Sequence, residues 1–118
     1  MGRDAQVWRC PFEDIPEDAD LDDYELAHTR IGNLALVVHL RELIRSLPNG
    51  ETRFPILLQQ VLHHGTLTGD HIAASEVHQL IREIDELPTT MDIHLDQFKS
   101  EFGSLCQLAV EKGLRVDF

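Results

Sequence analysis

Positive charge is scarce in this chain: ten Lys and Arg stand against 21 Asp and Glu, a formal net charge of −11. So anionic a surface repels a phosphate backbone, which argues against nucleic acid as a partner. It attracts basic proteins instead and accelerates their approach. Long hydrophobic runs are also missing. The longest in the first helical stretch, Leu34 to Val38, stops at His39, far short of the roughly 20 apolar residues that span a bilayer. Met1 to Gln6 hold no apolar core of a signal peptide, so the expectation is a cytoplasmic protein with no membrane partner. Cysteine is sparse, with only Cys10 and Cys106 near opposite ends. In a reducing compartment both are expected as free, packed thiols, although spacing alone does not decide whether they meet.

What is present suits one ordinary domain over residues 1–118, with 42% apolar residues to fill a core without a metal or disulfide framework. Between Glu13 and Glu25 stand eight acids (Glu13, Asp14, Glu17, Asp18, Asp20, Asp22, Asp23, Glu25) and no Lys or Arg. Self-repulsion, together with Pro11 and Pro16, predicts an exposed acidic connection at 13–25. Before it Trp8, Cys10 and Phe12 alternate as a half-buried strand would, and after it Tyr24, Leu26 and His28 do the same. Leu114, Val116 and Phe118 give a third alternation.

Four helical patterns supply cover for such a sheet. Leu36, Leu40, Leu43, Ile44 and Leu47 recur at helical spacing until Pro48-Asn49-Gly50 ends the element. Phe54, Leu57, Leu58, Val61 and Leu62 share a face, with Pro55 near the first helical position. A third stripe runs from about Gly69 to Leu87 through Ala73, Val77, Leu80, Ile81 and Ile84, with Thr68 as N-cap and Asp70 in the first turn. The fourth carries Leu95, Phe98, Phe102, Leu105 and Ala109, and Gly113 stops it. The class implied is α+β: a small, mostly antiparallel sheet of about three short strands covered by about four helices.

Catalytic and metal-binding patterns are weak. His63, His64, His71 and His78 cluster in sequence, and on one helix His71 and His78 would share a face. Yet there is no His-Glu-x-x-His and no Cys-His pairing, so no metal is expected. Cys106 and His94, twelve residues apart on one helix, would lie about 18 Å apart by the helical rise, beyond any hydrogen bond. Gly65-Thr66-Leu67-Thr68-Gly69 resembles a phosphate cradle only superficially, because no Lys follows and Asp70 repels anions. No cofactor and no catalytic residue are expected. The acidic run remains, as an anionic docking surface with Trp8, Phe12 or Tyr24 as an aromatic anchor.

Three segments in order resemble a family of bacterial immunity proteins that protect cells from polymorphic or contact-dependent toxins. The first is Leu21-Asp22-Asp23-Tyr24-Glu25 with Arg30-Ile31-Gly32 and a helix containing Leu40-Arg41-Glu42-Leu43. The second is Phe54-Pro55-Ile56-Leu57-Leu58, then Gly65, then a helix ending near Ile84-Asp85-Glu86-Leu87. The third is Phe102, Leu105-Cys106, Ala109, Gly113 and Val116-Asp117-Phe118. Where the family tends to carry a His-Ser-Asp-x-Asp-Gly-like turn, this chain has Gln60-Val61-Leu62-His63-His64-Gly65, without the carboxylates. The resemblance implies a compact α+β neutraliser that binds a cognate toxin protein in the cytoplasm, without catalysis. An acidic surface matches a basic, nuclease-like toxin. The residues expected to bind it are Glu17, Asp18, Asp20, Asp22, Asp23, Tyr24 and Glu25, with His63, His64 and His71 from the next loop. Two other readings are an adaptor or secretion chaperone that holds an effector protein, and a metal- or thiol-dependent enzyme built on the histidines and Cys106.

Overall fold

The computed structural model describes residues 2–63, 70–88 and 92–118. The chain opens with strand β1 (Gly2–Trp8) and crosses the acidic segment through two short 3-10 turns, Phe12–Asp14 and Leu21–Asp23. Strand β2 (Glu25–Asn33) runs straight into helix α1 (Leu34–Arg45). Short helix α2 (Gly50–Arg53) leads to a π-helical turn at Leu57–Val61. Strand β3 (His71–Ile72), helix α3 (Ala74–Glu86), helix α4 (Ile93–Lys112) and strand β4 (Val116–Asp117) complete the order. The four strands form one sheet in the order β2-β1-β4-β3, every described pairing antiparallel. Sheet plus segregated helices is the α+β class that the sequence implied.

The N-terminal strand lies upstream of its expected position. Alternation from Trp8 to Phe12 pointed to a strand there, whereas β1 ends at Trp8. Ala5 and Val7 are the buried alternating pair, and Pro11, lacking an N–H, suits the turn that follows. Pairing with β2 slips between Val7 and Trp8 and again between Arg3 and Asp4, leaving Leu26 and Ile31 as extra residues in β2. The sheet also has a fourth strand. Residues 71–72 were expected inside the third helix; instead Ile72 pairs with Val116 and is 1% exposed. Helix α3 therefore starts at Ala74, behind an Ala73 that makes no side-chain cap. Thr68, its expected cap, lies outside the described residues, as does the rest of the Gly65–Gly69 turn. The second helical pattern is a π-helical turn in which the Leu62 N–H donates to the Leu57 carbonyl at 2.8 Å.

Helix ends follow local chemistry. Asn33 closes β2 and caps α1, its Oδ1 accepting from the Leu36 N–H at 2.9 Å. Asp92 caps α4 by accepting from the His94 and Leu95 N–H groups, both at 3.0 Å. Gly113 ends α4 in the left-handed conformation (φ 67°), as its place after the last apolar turn foretold.

Helices α1 and α4 cover one face of the sheet, and α3 packs on α4 and on the π-helical turn. Phe54, Leu40, Ile44, Leu57, Leu62, Leu80, Leu87, Leu95 and Phe102 are fully buried between them. One charged residue shares that core. Glu83 on α3 is 0% exposed, and its Oε1 accepts from the Leu57 N–H at 3.0 Å, capping the π-helical turn from outside. Burial pushes its carboxyl above the usual range, against the pull of the Leu57 and Ile56 N–H groups.

Candidate partner-binding surface

A strand's side chains alternate between faces, so the face turned away from α1 and α4 can be read from register. Gln6 stands opposite both His28 and Asp117, and Asp117 stands opposite His71. One row across all four strands therefore reads His28, Gln6, Asp117, His71. Next to it Asp4 faces Arg30, and the Asp4 carboxylate lies 3.6 Å from His28 Nε2. Gln6 Nε2 also donates to Glu25 Oε2 at 3.2 Å. The open face of the sheet is a polar ladder.

The acidic segment is fastened to that ladder at both ends. At its start Arg115 grips Glu13 in a two-point pair, with Nη2 to Oε2 at 2.7 Å and Nη1 to Oε1 at 3.2 Å. The same guanidinium donates Nε to Asp117 Oδ1 at 3.1 Å. At its other end the Arg9 N–H donates to the Tyr24 carbonyl at 2.8 Å and Arg9 Nε to the Asp23 carbonyl at 2.7 Å. Between these anchors Asp20 caps the second 3-10 turn, accepting from the Asp22 N–H at 3.0 Å. The segment expected as an exposed connection is exposed, but it is also folded on itself.

Electrostatics at the first anchor are mixed. The Arg115 hydrogen bond holds the Glu13 carboxyl below its usual range, and nearby His71 adds to that pull. Burial pushes Asp117 the other way, above its usual range, although Arg115 and His71 oppose the rise. Arg115 itself is held above its ordinary value chiefly by the Glu13 bond. Glu17, Asp18, Asp20, Asp22 and Asp23 are exposed, and none forms an ion pair among the described residues. They are a patch of uncompensated negative charge on a pinned scaffold.

The expected binding residues divide accordingly. Tyr24 and Glu25 are half-buried at the root of β2, and the five exposed acids lie on the segment leading to them. His71 is exposed and joins this group through Asp117 and Glu13, from a strand and not from the helix expected for it. That placement also removes the shared helical face of His71 and His78, since His78 sits exposed on α3. His63 is half-buried beyond the π-helical turn, and His64 lies outside the described residues. Among the described residues no three of His, Cys, Asp and Glu converge as a metal ion requires. Cys10 and Cys106 are free, and burial pushes the Cys106 thiol up to about 12, which suppresses its thiolate near neutral pH. No helix among the described residues is long and apolar enough to cross a membrane.

One feature was not legible in the sequence. A groove of about 790 Å³ opens beside β2, between α1 and α4. At its rim His39 of α1 meets Asp92, Nε2 to Oδ2 at 2.8 Å, and lies edge-on to His94 at a 6.1 Å ring separation. The His39 bond holds the Asp92 carboxyl below its usual range. His39 and Asp92 are 53 residues apart, and no pattern in the chain links them before the helices pack.

No protein-family model, curated protein or solved structure matches this chain.

Proposed function

We propose that this chain is an immunity-type inhibitor that binds a basic, nuclease-like toxin protein in the cytoplasm and occludes it. The observation that carries the reading is the pinned acidic segment. Five exposed carboxylates that form no ion pair among the described residues stand on turns held by Arg9 and Arg115, so their charge is presented in a fixed arrangement. Pre-ordering lowers the entropy lost on docking, and the unpaired charge speeds the approach of a basic partner. A nuclease needs a positive channel for its substrate, and that channel is what such a patch would cover. The polar ladder beside it, with His71 and His28 at its ends, widens the surface.

Co-expression tests the reading. Expressing the protein with a toxin encoded by a neighbouring reading frame should restore growth of the producing cell, and the two should co-purify. Improved solubility of the partner while killing persists would instead identify a chaperone or adaptor.

A further inference from the structure

We infer that the outer edge of β2 accepts an extended segment of the partner as a fifth strand, seated in the groove between α1 and α4. The inference rests on the reading of this chain as a binder of basic proteins and adds where and how the partner's backbone is held. Strand β2 is the sheet's longest, nine residues, and stands at the end of the strand order. Among the described residues no strand pairs with its outer side. Bulges at Leu26 and Ile31 interrupt the strand, and between them Ala27–Arg30 form a regular stretch of edge of the kind that invites strand addition.

The groove shows that this edge is reachable. Thr29, Arg30, Ile31, Gly32 and Asn33 all line it. Thr29 and Arg30 precede the bulge at Ile31 and point to opposite faces, so a cavity that both line is walled by the strand's edge. Gly32 supports this, because at φ +145° a Cβ there would come within 2.4 Å of Leu36. A side chain at this position would crowd the same wall. Phe98 and Phe102 of α4, stacked at 5.2 Å, form the apolar side of the groove. An added strand would lie about 4.8 Å from β2, with alternate side chains turned toward α4.

Charge selects the occupant. At the Glu25 end the edge meets the acidic turn of Asp20, Asp22 and Asp23, and at the other end Glu101 and Asp92 lie in or beside the groove. Arg30 lies between. A segment with Lys or Arg at both ends and uncharged residues in its middle fits this order. A second copy fits poorly: each chain carries −11, and antiparallel self-pairing centred on Thr29 would set His28 against Arg30.

The probe is a nine-residue peptide, matched to β2, with two Lys at each end and alternating Val and Thr between. Binding is followed by amide chemical shifts and hydrogen exchange of the intact protein. The expected result is slowed exchange in Glu25–Asn33. N-methylating alternate peptide amides in one frame should weaken binding by about tenfold or more, while the other frame stays within about twofold. Ala35→Trp, which fills the groove from an exposed position, should weaken it comparably. Equal binding by both N-methylated frames would overturn strand addition while leaving the acidic docking surface standing. Absence of binding would overturn it too, and growth rescue on co-expression would then judge the inhibitor reading separately. A concentration-dependent dimer that protects β2 without peptide would overturn it in favour of a second copy.

Discussion

The covered and open faces of the sheet are built on different physics. On the covered face Ala5, Val7 and Ile31 are buried against α1 and α4 within one apolar cluster. Their contribution is roughly proportional to area and spread over many neighbours. On the open face the row His28, Gln6, Asp117, His71 is organised by a few directed bonds, those of Arg115 above all. The first face decides whether the chain folds. The second decides what the folded chain presents, and most of its charge can be altered with little effect on stability.

The largest expected effect lies on the covered side. Phe102 is 1% exposed and stacks on Phe98. Phe102→Ala should lower stability by about 3–5 kcal/mol, seen as a sharply reduced urea midpoint or loss of soluble protein. A midpoint equal to that of the wild type would mean that the covered face is not where stability resides.

Arg115 tests the boundary between the two faces. Arg115→Met releases Glu13 and leaves the buried Asp117 carboxylate without its guanidinium, the latter at a cost of about 1–3 kcal/mol. The pH dependence has a definite sign. Glu13, held low by Arg115, contributes stability above the ordinary carboxylate range and loses it as pH falls. Asp117, held high by burial, favours the fold at low pH and loses that contribution as pH rises. The variant's deficit should therefore be widest near neutral pH and narrow on acidification, as measured by urea unfolding at a series of pH values. A deficit independent of pH would show that Arg115 acts through packing alone.

Glu83 is a polar residue on the apolar side. Its raised carboxyl value means that its contribution is fully present below the ordinary value and fades as pH rises through the folded one. Glu83→Gln keeps an acceptor for the Leu57 N–H without a buried charge. The stability of this variant relative to wild type should rise with pH. A constant difference would mean that Glu83 does not titrate over that range.

The same contrast explains what could be read in advance. Apolar periodicity placed α1 and α4 closely, and Gly113 marked the end of α4. It misplaced β1, because the alternation of Trp8, Cys10 and Phe12 looks strand-like although the paired residues are Gly2 to Trp8. It merged β3 into α3, because two residues, His71 and Ile72, are too few to set a period of their own. The acidic segment was visible as composition, but not its fastening. Glu13 and Arg115 are 102 residues apart, and only register brings His71 and Asp117 to the same end of the sheet. The groove beside β2 needs two helices to pack before it exists.

The smallest expected stability effect accompanies the most informative functional one. Changing Glu17, Asp20, Asp22 and Asp23 to Gln or Asn removes exposed charge while Asn at position 20 keeps a capping oxygen. Stability should stay within about 0.5 kcal/mol of wild type. Association with the partner toxin, recorded at low and near-physiological salt, measures the central claim directly. The account predicts a slower association rate for the variant and a flatter salt dependence, with dissociation changed less. Equal association rates and equal salt slopes for the two proteins would contradict it and would make the acidic segment a solvated connection only.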